Sequence, residues 1–216
     1  MITKKVIWTL LIVILFLFTS TSALAAGNFS LGVYGGVAIP IDDEAIEDYS
    51  DTEWDSNVPT FGGSLLYRFP GGFTLGISID HLEMDMEEKL GIGNVGTIKM
   101  TPVMFNILYQ GIPYRGIGIT GHGGIGFGTN FTSWNDDPNF LSNNYSIDTD
   151  NGFIFSIGGG IDYFFTKSFS MNLDARFLLG IVDCTIKYDD GFFRSIEDRE
   201  MYISTFQTLL GLRFWF

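Results

Sequence analysis

The sequence predicts an all-β protein, an eight-stranded antiparallel up-and-down transmembrane β-barrel spanning residues 27–216 behind a cleaved signal peptide at 1–26. Three observations predict it. The N-terminal 27 residues have the layout of an export signal; the rest alternates apolar and small or polar residues with period two; and the connections alternate between long and short.

The N-terminus carries Lys4 and Lys5, an apolar run of 13 residues from Val6 to Phe18, then Ala23-Leu24-Ala25. A spanning helix needs roughly 20 apolar residues, so a membrane anchor is the weaker alternative to a signal cut near Ala26. Loss of Lys4 and Lys5 leaves ten basic residues against 25 acidic ones, moving the net charge from −13 to −15. Such a surface excludes nucleic acid as a partner, because phosphate neutralisation needs clustered Lys and Arg. The single cysteine, Cys184, excludes an internal disulfide framework and a Cys-rich zinc site.

The elements follow in order. Phe29, Leu31, Val33, Val37 and Ile39 alternate with Ser30, Gly32, Tyr34, Gly36 and Ala38, a first strand with one apolar face. Phe61, Leu65, Tyr67 and Phe69 make the second and Phe73, Leu75, Ile77 and Ile79 the third, a hairpin turning at Pro70-Gly71-Gly72. The fourth lies near 95–109. The fifth, near 114–127, sets Ile117, Ile119, Ile125 and Phe127 against glycines and His122. The sixth carries Phe153, Phe155, Ile157, Ile161 and Tyr163, and the seventh Phe169, Met171, Leu173, Phe177, Leu179 and Ile181. The eighth carries Tyr202, Phe206, Leu210, Leu212, Phe214 and Phe216.

Long connections are expected at 41–58, 84–94, 128–150 and 183–199, and short ones at 70–72, 110–113 and 165–168. An even number of such strands, with short periplasmic turns and long external loops, describes an outer-membrane barrel. A soluble lipocalin-like barrel has the same strand count but an apolar interior. Here the uniform, bulky face is the apolar one, while the other mixes Gly, Ser and Thr with Arg68, Asp80, Asp162, Asp174, Arg176 and Arg213, a poor dry core. The apolar face therefore meets lipid, and the chain is placed in the outer membrane.

In the fourth strand Ile98 and Met100 share one phase and Val103, Phe105 and Ile107 the other, with Pro102 between them. Proline cannot donate to a ladder, so a bulge or break in the wall is expected there.

The stretches "TPVMFNILYQGIPYRGIGITGHGGIGFG" and "FSIGGGIDYFFTKSFSMNLDARFLLG" resemble hairpins of the OmpW type of small outer-membrane protein. The shared features are a Pro early in strand four, Pro-Tyr opening a Gly-rich strand five, and Gly-Ile-Asp-Tyr with Asp-x-Arg across strands six and seven. That resemblance implies a narrow barrel and, for some members, a passage for small hydrophobic molecules through an opening in the wall. Tyr34, Leu66, Met104, Ile154, Leu178, Ile203 and Leu209 share the inward phase and are the candidate path, with a small hydrophobic ligand as candidate partner. Arg68, Asp80, His122, Asp162, Asp174, Arg176 and Arg213 share it too, and paired charges would plug so narrow a lumen.

Other motifs carry less. Gly116-x-Gly118-x-x-Gly121 matches a dinucleotide fingerprint, but no helix is expected after it. Ser78 and His81 fall on opposite faces of a strand, so no nucleophile and base pair, and no enzyme, is expected. No cofactor or metal site is predicted: Asp148-x-Asp150-Asn151-Gly152 lacks the distal Glu of a calcium loop. Loop one carries Asp42, Asp43, Glu44, Glu47, Asp48, Asp51, Glu53 and Asp55 without a basic residue, either a solvated surface or a region bridged to lipopolysaccharide by divalent cations. Trp54, Trp134, Tyr145, Phe192 and Phe193 are the candidate contact residues of an adhesive surface. The terminus, with Gly211, Phe214 and Phe216, resembles the signal read by the barrel-insertion machinery. Two functions stand: a passage for small hydrophobic molecules, or a non-transporting envelope protein acting through structure or surface loops.

Overall fold

A computed structural model describes residues 29–41, 52–54, 57–88, 94–113, 116–136, 145–189 and 194–216. The predicted signal peptide, most of acidic loop one, Phe192 and Phe193 lie outside the described residues. Among the described residues ten strands run in order: β1 (Phe29–Pro40), β2 (Thr52–Trp54), β3 (Val58–Arg68), β4 (Phe73–Glu88), β5 (Asn94–Gln110), β6 (Gly118–Asp136), β7 (Tyr145–Thr149), β8 (Gly152–Thr166), β9 (Phe169–Asp189) and β10 (Arg194–Trp215). β2 and β7 are short pieces paired to β4 and β9 at the loop end. The other eight close antiparallel, with β10 bonded to both β9 and β1. Closure leaves no sheet edge in lipid, where each orphaned backbone group costs several kcal/mol.

One row of paired residues fixes the geometry. Starting at Phe29 it runs through Tyr67, Leu75, Ile107, Ile125, Ile157, Phe177 and Phe206 and returns to β1 at Ile39, ten residues further along. A shear of ten on eight strands tilts them by about 40° and leaves an interior just wide enough for side chains. Every residue of this row is apolar and outward, as the period-two alternation requires.

Where the strands meet the tight turns, aromatic rings form a girdle: Phe216, Phe29, Tyr67, Phe69 and Phe73 follow one another at centroid separations between 4.7 and 6.3 Å. Phe216 closes the barrel there, donating from its N–H to the Phe29 carbonyl (2.9 Å) and accepting from the Phe29 N–H (3.2 Å).

Two expectations are corrected. The long connections are shorter than the sequence suggested, because β4 continues to Glu88, β6 to Asp136 and β9 to Asp189, while β10 begins at Arg194. Along these extensions the polarity inverts. Leu82, Met84, Met86, Ile98, Met100, Ile147, Val182, Met201 and Ile203 turn inward and are buried with Trp54 and Cys184. Their outward neighbours are Glu83, Asp85, Lys99, Asp183, Thr185, Asp198 and Glu200. Beyond the lipid-facing belt the barrel thus has the polarity of a water-soluble protein, an apolar core inside polar walls.

The second is corrected only in part: at Pro102 the expected break is present and the bulge is not. β5 passes through it with unbroken register to β6, from Gly96 opposite Asp136 to Gln110 opposite His122. Pairing to β4 lapses between Ile79 opposite Val103 and Leu82 opposite Met100, but the register is the same on both sides. Pro102 brings no N–H to the ladder and inserts no extra residue, so there is a gap in bonding without a bulge. The apparent phase change of Ile98 and Met100 is the polarity inversion, with the backbone alternation intact.

Candidate functional site: the lumen

The inward residues of the lipid-level barrel are mostly glycine, small polar and charged, with a few apolar ones among them, and the charged ones meet. Asp162 on β8 accepts from Arg213 Nη1 (2.7 Å), His122 Nδ1 (2.8 Å) and Gln110 Nε2 (2.8 Å). Asp174 on β9 lies 2.7 Å from His122 Nε2 and 3.3 Å from Arg213 Nη2, and accepts from Asn172 Nδ2 (2.6 Å). The two carboxylates, one guanidinium and one imidazole come from four strands. Both ring nitrogens of His122 face carboxylate oxygens, so the imidazole bridges the two acids.

A second group lies beside the first. Asp80 on β4 is 2.8 Å from Arg176 Nη2 and accepts from the Tyr34 hydroxyl (2.5 Å), while Arg176 Nε donates to Gln207 Oε1 (2.7 Å). Inward glycines make room for these groups: a Cβ on Gly62 would sit 2.6 Å from Asp80 Oδ1 and 2.7 Å from Tyr34 Cε2, and one on Gly160 2.5 Å from Asp174 Oδ1.

Each end is closed. At the turn end the Arg68 guanidinium lies 4.3 Å from the centre of the Trp215 ring, which packs on Phe164 and donates from Nε1 to Ser170 Oγ (3.1 Å). At the loop end stands the apolar core of the extension. Between them remains a cavity of about 80 Å³ lined by Tyr34, Ser64, Leu66, Ser78, Asn106, His122, Ser156 and Leu209 among others. That is room for a few waters, well below the roughly 300 Å³ at which small-molecule pockets begin.

All seven predicted lumen charges therefore point inward, and six of them, Asp80, His122, Asp162, Asp174, Arg176 and Arg213, meet in the two groups; Arg68 stands at the turn-end mouth. The apolar candidates are dispersed. Met104, Ile154 and Leu178 pack on one another, Ile203 belongs to the core of the extension, and Leu66, Leu209 and Tyr34 line the cavity. They form no continuous path, because charged pairs lie between them. Trp54 is buried in the extension and is a core residue, while Trp134 packs half-buried against that core with its indole N–H donating to Asp136 at the surface (2.7 Å). Ser78 points into the lumen and His81 away from it. Gly116 and Gly118 adopt positive φ (78° and 120°) at the entry to β6, with a strand and no helix following. The roles of Gln110, Asn172, Gln207 and Trp215 went unread; their inward phase was the available signal.

The model of the outer membrane protein beta-barrel domain matches residues 11–214. The chain belongs to this family. It is accordingly an outer-membrane protein, and the resemblance to the OmpW type fits the family. The crystal structure of the outer-membrane protein OprG from Pseudomonas aeruginosa is similar with a TM-score of 0.66 at 15% identity, over 88% of this chain and 97% of OprG. Neisserial surface protein A gives 0.53 at 11% identity, over 89% of this chain and 100% of that one. AlkL, solved in lipid bilayers, gives 0.53 at 14% identity, over 91% and 93%. At these identities the likeness is one of fold. No curated protein matches the sequence significantly.

Proposed function

We propose that this protein is a closed, non-conducting outer-membrane barrel whose work is done by its rigid polar extension at the loop end rather than by flow through its lumen. One observation carries the reading: the lumen keeps only about 80 Å³ of free space between the Arg68–Trp215 pair and the extension core, with two ion-paired groups across it. The loop end faces outward, where the acidic connections meet lipopolysaccharide and surface partners. The deciding measurement is uptake of a hydrophobic substrate by cells with and without the protein, alongside single-channel recording in planar bilayers. Unchanged uptake and no conductance are expected; uptake that falls on deletion overturns the reading. The alternative, a hydrophobic passage through the wall, is favoured by the bonding gap between Ile79–Leu82 and Met100–Val103. Under that alternative Ser156→Trp, which fills the cavity, lowers uptake; in a closed barrel it does not.

A further inference from the structure

The outward apolar belt does not have the same height all the way round. Its floor lies at the turn end throughout, marked by aromatic residues on seven of the barrel strands and by Ile119 on β6. Its ceiling differs. On β9 the outward apolar residues run from Phe169 to Ile181, on β10 from Phe214 to Tyr202, on β8 from Phe165 to Phe153 and on β6 from Ile119 to Phe131. On β4 they stop at Ile79 after starting at Phe73, and on β5 at Val103 after starting at Tyr109. At a rise of about 3.3 Å per residue and a tilt near 40°, each residue adds about 2.5 Å of height. The belt is then about 30 Å high along β6 to β10 and about 15 Å along β4 and β5, against the roughly 25 Å usual for such barrels. A wedge of this shape is not levelled by tilting the molecule, because the floor is already flat.

Above the low ceiling the outward residues are polar and bonded to one another. His81 Nδ1 lies 3.5 Å from Thr101 Oγ1, His81 Nε2 is 3.3 Å from Glu83 Oε1, and Lys99 Nζ donates to the same oxygen (3.0 Å). The same level holds the gap in bonding beside Pro102, the one place in the β4–β5 ladder where a donor is missing by composition. Backbone pairing is hard to forgo in contact with acyl chains and easy to forgo in contact with headgroups and water.

We infer that the leaflet at the loop end is drawn down against β4 and β5, so that lipid headgroups, not acyl chains, cover His81, Glu83, Lys99 and Thr101. A short hydrophobic surface is accommodated by local thinning of the bilayer. Charged side chains on the lipid face are destabilising within the hydrocarbon and much less so at the interface. The partner of this face is the polar headgroup layer, whose hydroxyl and phosphate oxygens match the donors of Lys99, His81 and Thr101.

The test compares two spin labels at equal height, introduced as Thr101→Cys on β5 and Leu179→Cys on β9, in full-length protein carrying Cys184→Ala and reconstituted in phospholipid vesicles. The ladder row of Val103 reaches β9 at Ile181, and a shear of ten over eight strands lifts a row by about four residues in those three steps, which puts Thr101 level with Leu179. The label at 101 is expected to relax with a water-soluble paramagnet and the label at 179 with dissolved oxygen. Adding His81→Leu and Glu83→Leu raises the ceiling of β4 and is expected to shift the label at 101 towards oxygen. Equal oxygen accessibility at both sites overturns the inference. So does shielding of the label at 101 from both agents with cross-linking between copies, which would assign the face to a second barrel.

Discussion

Replacing Arg213 with methionine removes the guanidinium shared by Asp162 and Asp174 and keeps only an aliphatic stem in its place. Arg213 is 6% exposed and Asp162 fully buried, and their ion pair is 2.7 Å long. Breaking a buried pair from one side costs about 3–5 kcal/mol, because the partner charge is left in a low dielectric. Here His122 remains between the two carboxylates and offsets part of that loss, so about 3 kcal/mol is expected. Urea unfolding in vesicles, followed by tryptophan fluorescence and by the gel mobility of folded against unfolded barrel, reads the change. The companion Asp162→Asn removes the stranded charge, so R213M and D162N together should be less damaging than the sum of the two by about 0.5–3 kcal/mol. A loss below about 1 kcal/mol for R213M, or strict additivity in the double variant, would refute the view that these groups act as one neutral plug.

Three further outcomes follow from the packing. Gly62→Ala places a Cβ 2.5 Å from the Ile79 carbonyl oxygen and against the Tyr34–Asp80 bond, and should destabilise by about 1–3 kcal/mol in the same unfolding assay. Trp54→Ala, in the core of the extension, should cost about 3–5 kcal/mol if that core is as dry as its burial indicates; a surface residue would cost next to nothing, which melting curves distinguish. Burial, with Asp183 beside it, pushes the Cys184 thiol up from 9.0 to about 11. Its folded value lies above the unfolded one, so the protonated thiol contributes stability in full below about pH 9, lost as pH rises through about 11. Alkylation by a small reagent should accelerate over that window, whereas a midpoint near 9 would mean an exposed thiol.

Legibility varied with the physics of each region. Within the membrane, lipid demands an apolar outer face, so the alternation of Phe169, Met171, Leu173 and Phe177 with Ser170, Asn172, Asp174 and Arg176 could be read directly. The inward charges were equally plain. Their partners were not, since Asp162 and Arg213 are 51 residues apart and only the register brings their strands to one level. Beyond the membrane the same alternation continues with its meaning reversed. Met84, Met86, Val182 and Met201 continue the chain's apolar content in the other phase, which in the sequence looked like loop at 84–94 and 183–199 and like a defect at Pro102.

The sequence by itself determined the all-β class, the outward face of each strand and the set of side chains entering the lumen, because period-two alternation ties facing to residue number. Tertiary structure alone decided how those side chains meet. A shear of ten sets the tilt and the level of each inward residue, and with them the pairing of Asp162 with Arg213, the small cavity and the uneven ceiling of the apolar belt. Those are properties of eight strands closed on one another, and no single strand contains them.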